Sequence, residues 1–266
     1  MAQEKWLVDE EKVIDLENIH SLKVSLIGGL VNIVGHDEPG TRVEVHSVRG
    51  KALRIAVDGD RLEVDHPQLS WDNFIEVFSS FTGRASADVS IMVPRDVALK
   101  FGVVSANGLI SGLTTNATIS TVSGDLVVDG LTGSVQLNAV SGEIAVRDHH
   151  GTIGAKTVSG EITATGEIEK FSSDSVSGDV FLDISGTPDV VRVNTVSGDV
   201  TMRLAAGLSA QYTISTVGGK IQLDDSEIRG VKGSYTGRYG TLDQYWLEFR
   251  ANTVSGNVSV LHAVSA

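Results

Sequence analysis

One short phrase keeps returning through the middle of this 266-residue chain. It reads Thr121-Val122-Ser123-Gly124-Asp125-Leu126, then Ala139-Val140-Ser141-Gly142-Glu143-Ile144, then Thr157-Val158-Ser159-Gly160-Glu161-Ile162. It returns as Ser175-Val176-Ser177-Gly178-Asp179-Val180 and Thr195-Val196-Ser197-Gly198-Asp199-Val200. The first four valines stand 18 residues apart and the fifth follows at 20. A fixed period of this size means stacked units, each burying its apolar face on its neighbours.

Aligning the units on the valine exposes the candidate core. Five residues before it stand Ala117, Val135, Ile153, Phe171, Val191, Tyr212 and Phe249, and three before stand Ile119, Leu137, Ala155, Ser173, Val193, Ile214 and Ala251. Four after stand Leu126, Ile144, Ile162, Val180, Val200, Ile221 and Val258, and six after Val128, Val146, Ala164, Leu182, Met202, Leu223 and Val260. Members of each pair are two apart and so share one face of a strand. The step across the Val-Ser-Gly phrase is odd, so the inward phase flips there, which requires a corner where glycine supplies special dihedrals or close approach. A second odd step falls near Gly130-Leu131-Thr132-Gly133 and Asp148-His149-His150-Gly151. Two strands and two corners per period describe an all-β, right-handed, single-stranded parallel β-solenoid of about 18 residues per coil. Val140 and Ile162 are both expected to point inward, Val140 as part of the phrase and Ile162 as part of the core.

Residues 1–100 read as divergent coils or a β-meander that caps the repeat, and residues 101–266 as the repeat solenoid. Short alternating runs such as Leu22-Lys23-Val24-Ser25-Leu26 and Leu30-Val31-Asn32-Ile33-Val34 are separated by turn residues. Residues 68–84 interrupt the pattern. Trp71, Phe74, Phe78 and Phe81 make this the most aromatic stretch, with spacing that suits a short amphipathic helix. After Val196 the phrase returns at Val217 and Val254, and the longer interval holds an insertion over residues 226–246 with Tyr235, Tyr239, Tyr245 and Trp246. Each insertion reads either as a cap over an apolar end or as a partner-binding loop.

A net charge of −13 argues against nucleic acid, whose phosphates need clustered Lys and Arg. The 29 glycines beside only 4 prolines suit tight corners between strands. There are no cysteines, which removes disulfides and thiol chemistry. The first residues are charged where a signal peptide needs an apolar core, and no apolar run is long enough for a membrane span, so a cytoplasmic location is expected.

Chemistry-bearing groups are few. Asp125, Glu143, Glu161, Asp179 and Asp199 each follow the valine by three. Stacking would set them in one row, a candidate cation stripe or a solvated corner whose acids bind turn amides. The pairs His149-His150 and His36-Asp37 fall at turns, without the third ligand that a metal site requires. The repeated serines have no neighbouring base. Neither catalytic residues nor a cofactor or metal are expected.

The recurrent Thr-Val-Ser-Gly-Asp/Glu-Val/Ile phrase, from about Val104 to Val260, resembles a bacterial family of adhesin-like domains of unknown function. That family is similar to the toastrack domains, β-solenoids linked to envelope-stress sensing proteins. The resemblance implies a right-handed β-helix without catalysis, acting as an interaction or scaffold module on an unidentified protein or glycan partner. Two alternatives stand beside it: a structural polymer resembling the bactofilins, self-associating through its solenoid ends, and a polysaccharide-binding or polysaccharide-acting β-helix.

Overall fold

The computed structural model describes residues 4–67, 85–228, 233–242 and 245–263. Its described residues form 24 strands and no helix. The fold is an all-β, right-handed parallel β-solenoid with antiparallel strands added in both its N-terminal and its C-terminal part. Internal contacts divide the chain into two compact units, Met1–Val135 and Gln136–Ala266. The expected short helix over residues 68–84 lies outside the described residues.

In the first unit the strands lie in two ladders. One runs β1 (Glu4–Val8), β6 (Leu53–Asp58), β7 (Arg61–Asp65), β3 (Ser21–Leu26), β9 (Ala98–Val103) and β11 (Ala117–Thr121). The first two pairings are antiparallel and the rest parallel. The other runs β2 (Lys12–Glu17), β5 (Gly40–Arg49), β8 (Ser86–Pro94), β4 (Gly29–His36), β10 (Asn107–Ser111) and β12 (Leu126–Asp129), with the same change from antiparallel to parallel. Stacking order therefore departs from chain order. The coil made by β3 and β4 is inserted between the later coils β7–β8 and β9–β10.

The second unit repeats the device. Its first ladder takes the C-terminal half of β14 (Ile144–Thr157), that of β15 (Ile162–Ser175), then β17 (Val190–Asn194), β23 (Leu247–Thr253) and β19 (Ala210–Thr216), all parallel. Strand β22 (Ser234–Tyr239) closes it antiparallel. Its second ladder takes the N-terminal halves of β14 and β15, then β16 (Val180–Ile184), β18 (Val200–Leu204), β24 (Val258–His262) and β20 (Ile221–Leu223), closed antiparallel by β21 (Ser226–Ile228). The last coil, β23–β24, thus lies between β17–β18 and β19–β20. Its strands are hydrogen-bonded on both edges, so no edge is left for another chain to extend.

The interior follows the repeat. Ile153, Phe171, Val191, Phe249 and Tyr212 form one column in register, and Ile144, Ile162, Val180, Val200, Val258 and Ile221 another. Every position of the four core columns, five and three before the valine and four and six after it, is buried except Leu223, which is half-buried at the end of its column. Each full burial of a Val, Leu or Ile contributes roughly 1.5–3 kcal/mol.

The phrase valine is the correction. Val158, Val176, Val196 and Val254 are about half exposed, Val217 is 83% exposed, and Val140 is half-buried. The inward phase flips at the phrase, so the valine itself sits on the outside of the corner. Only Val104 and Val122, in the first unit, are covered.

The glycine after the serine explains the corner. None of these phrase glycines has a positive φ. A Cβ on Gly178 would lie 1.9 Å from the carbonyl oxygen of Gly160, one on Gly198 2.0 Å from that of Gly178, and one on Gly256 1.9 Å from that of Gly198. Consecutive coils touch backbone to backbone here, and only glycine fits. At the opposite corner the reason differs: Gly130, Gly186 and Gly207 take positive φ, with no backbone pressed against them.

Two substitutions separate these terms in chemical denaturation. Gly178→Ala must push two backbones apart and is expected to cost about 3 kcal/mol or more. Gly207→Ala has open space but a φ of +74° and should cost about 1–2 kcal/mol. Ser173 is buried in a column position held by alanine at Ala155 and Ala251, and its hydroxyl has no hydrogen-bond partner among the described residues. Ser173→Ala should be neutral or stabilise by about 1 kcal/mol, because a desolvated hydroxyl is removed.

Candidate functional site

Polar side chains of the repeated phrase are turned onto the backbone that carries them. The buried threonine before the valine accepts a hydrogen bond from the glycine N–H three residues on, at 2.9 Å for Thr121 and Gly124 and 2.8 Å for Thr157 and Gly160. Thr195, Thr216 and Thr253 do the same. The serine hydroxyl donates to the valine carbonyl of the coil beneath, as in Ser159 to Val140 at 3.2 Å and Ser177 to Val158 at 3.4 Å. These groups close corners and tie layers together. None of them is poised as a nucleophile.

Within the second unit, the acidic row runs down a corner column. Asp179 Oδ1 accepts the N–H of Asp199 at 2.8 Å, Asp199 Oδ1 accepts the N–H of Asn257 at 2.7 Å, and Asn257 Oδ1 accepts the N–H of Lys220 at 3.0 Å. Asn257 also donates its amide to both oxygens of Asp199. Glu143 and Glu161 occupy the same phrase position in earlier coils, and the Glu161 carbonyl accepts the N–H of Ile144. In the first unit the corresponding bond runs from the Asp125 N–H to Asn107 Oδ1 at 3.1 Å. Among the described residues no three His, Cys, Asp or Glu side chains gather as a metal ion would need.

The two aromatic insertions fare differently. Trp71, Phe74, Phe78 and Phe81 lie outside the described residues. In the second insertion, Tyr235 and Tyr239 belong to the closing strand β22, opposite Ile214 and Ala210. Tyr239 stacks on His262 with ring centroids 3.7 Å apart. Trp246 is half-buried, while Tyr245 stays 74% exposed.

Two polar groups that the repeat does not announce are buried. His262 Nδ1 lies 3.0 Å from Asp224 Oδ2, its backbone N–H donates to Asp224 Oδ1 at 2.7 Å, and its Nε2 faces the Tyr212 hydroxyl at 3.4 Å. Burial holds the Tyr212 phenol well above its usual pKa, with the Asp224 charge adding to the effect. This cluster joins β24, β19, β22 and the turn after β20, so it fastens the inserted last coil to its cap. His66 is fully buried beside β7, where its Nδ1 accepts the Ile27 N–H at 3.2 Å and its Nε2 has no hydrogen-bond partner among the described residues. Burial lowers its pKa from the ordinary 6.5 to about 4; the nearby Asp65 charge opposes the shift and Lys51 adds to it. His149 is also fully buried, inside β14, and is not an exposed turn residue.

Fold and site together define a β-solenoid module whose repeated polar groups serve its own corners. The chain belongs to the Toastrack DUF4097 family, whose model matches residues 20–261. A search of curated proteins gives no match. Among solved structures, a putative lipid binding protein from Parabacteroides distasonis ATCC 8503 aligns over 96% of this chain and 97% of its own, at 11% identity and a TM-score of 0.54. That likeness shows a shared fold. A putative cell adhesion protein from Clostridium sporogenes ATCC 15579 aligns over 96% and 99% at 13% identity, with a TM-score of 0.30, too low to carry an argument. Among the described residues no helix is long and apolar enough to cross a membrane.

His66 gives a test with a definite sign. Between pH 6.5 and about 4 the unfolded chain takes up a proton that the folded chain refuses. Its contribution therefore lowers stability as pH falls through that window and levels off below about 4. The loss is on the order of 3 kcal/mol. His66→Gln, compared with the parent in denaturant titrations at pH 7 and pH 4, should show a correspondingly smaller loss. Equal losses in the two proteins would contradict the buried neutral imidazole.

Proposed function

We propose that this chain is a non-catalytic interaction module, a rigid stack of coils that holds variable side chains at fixed spacing on its outer faces. One observation carries the reading: most of the recurring polar groups, including Thr157, Ser159, Asp179 and Asp199, are hydrogen-bonded to the chain's own backbone. What remains free to vary points outward from the ladders. Such rows, about 4.8 Å apart, offer a regular surface to a protein or glycan partner. The exposed Tyr245 and the aromatic stretch Trp71, Phe74, Phe78 and Phe81 supply specificity. A sensing or adhesion-like contact at the bacterial envelope is the setting the family resemblance supports.

Self-association end to end, as in a bactofilin-like polymer, has less support. One end of each unit's ladders carries antiparallel strands, β1 and β2 in the first unit and β21 and β22 in the second, and such an end offers no parallel coil for another copy to extend.

Deleting residues 226–246 would strip β22 from β19, so substitution is the better test. Tyr245→Ala, and separately Trp71, Phe74, Phe78 and Phe81 all changed to Ser, should leave thermal stability within about 1 kcal/mol for Tyr245→Ala and weaken a purified partner at least 10-fold in one of the two variants. A partner bound equally by both variants and the parent would overturn the assignment of specificity to these residues.

A further inference from the structure

The outer face of the second unit carries a groove that the repeat does not explain. It has a volume of about 420 Å³ and runs across three coils, over the outward sides of β14, β15 and β17. Registers fix its composition: Thr152, Lys170 and Val190 lie in one row, and Gly154, Ser172 and Arg192 in the next. The small residues Gly154 and Ser172 make the floor, and Gln136 lies across Gly154, its amide oxygen 2.5 Å from where a Cβ would stand. Gly154 has an ordinary φ, so it is not there for backbone conformation.

Charge is the unusual feature. The chain as a whole carries −13, yet among the described residues no Asp or Glu lines this groove, while Lys170 and Arg192 both do. Lys170 has a loose ion pair with Asp189 at 4.0 Å. Arg192 forms neither a hydrogen bond nor an ion pair through its guanidinium with any described residue. It also stands directly beside Arg250 in the parallel ladder, where like charges are unfavourable; Arg250 is paired with Glu248. An exposed guanidinium fork set against a second arginine, on an acidic protein, is stabilised by a planar oxyanion that accepts two of its hydrogen bonds. Beside it, the Gln136 amide and the Thr152 and Ser172 hydroxyls offer neutral donors and acceptors, which suit hydroxyl groups better than a bare ion.

We propose that this groove binds an acidic saccharide, with the sugar carboxylate on Arg192 and Lys170 and the sugar hydroxyls on Gln136, Thr152 and Ser172. The proposal rests on the reading of the chain as a binding module, and it uses a different surface from the aromatic residues above. A uronic-acid chain lying along the ladder passes successive coils and meets Arg250 next. Because the surrounding protein is acidic, binding depends on local contacts and weakens with salt.

Calorimetric titration of the full chain with hexagalacturonate and with a hyaluronan hexasaccharide tests it, with maltohexaose, inorganic phosphate and phosphatidylglycerol vesicles as comparisons. Saturable binding of at least one acidic oligosaccharide is expected, with none to maltohexaose. Arg192→Ala and Ser172→Tyr, the second filling the groove without a change of charge, should each weaken it at least 10-fold. Both positions are exposed, and unchanged thermal melts will confirm that the variants fold. Binding of neither acidic sugar, equal binding in both variants, or phosphate or vesicles bound as tightly as the sugar would overturn the proposal. None of these outcomes depends on Tyr245 or residues 68–84, so the interaction-module reading stands or falls separately.

Discussion

Hydrogen bonding from one coil to the next is the constraint on which the rest of this structure depends. Each strand of a parallel ladder satisfies its N–H and C=O groups only if another strand lies on either side at the ladder spacing. At the Val-Ser-Gly corner the spacing becomes so tight that a glycine Cα rests on the carbonyl of the glycine one coil away. Threonine and serine hydroxyls then take up the backbone groups that the bend would leave open. The phrase recurs because every layer has to solve the same packing problem at the same place.

The interior was legible because burial and period agree. Positions five and three before the valine, and four and six after it, carry apolar residues on the two strands of each coil, and they are the buried ones. The valine lies outside for a physical reason: a strict apolar column looks like core, but the flip in strand phase that the same argument requires carries Val158, Val176 and Val196 to the outside. Layer order was not legible at all. Every coil offers the same apolar rows, so a periodic sequence satisfies any permutation of coils equally. The insertion of β3–β4 and of β23–β24 between later and earlier neighbours is written only in long-range pairing.

The same distinction governs the candidate sites. Repetition pointed to Asp179 and Asp199, and their oxygens prove to hold the next coil's amides. Lys170 and Arg192 belong to no repeated pattern and lie on separate coils, so nothing in their sequence spacing singles them out. His66 is buried by strands distant in the chain, and Asp224 meets His262 across 38 residues because the last coil slots in beside its predecessor. Features that serve one layer only leave no periodic trace, and those are where a repeat protein can become specific.

Stacking order in the second unit is the claim most open to direct measurement, because the chain has no cysteine of its own. Asn194 and Asn252 are outward partners in neighbouring strands, and Asn252 and Ser215 are the next such pair. Engineered pairs Asn194→Cys with Asn252→Cys, and Asn252→Cys with Ser215→Cys, should each oxidise to an intramolecular disulfide, since Cα atoms of adjacent strands fall within the roughly 4.4–6.8 Å that the bond tolerates. Asn194→Cys with Ser215→Cys should stay reduced under the same conditions. If that third pair closes and the first does not, the coils stack in chain order and the inserted last coil is wrong.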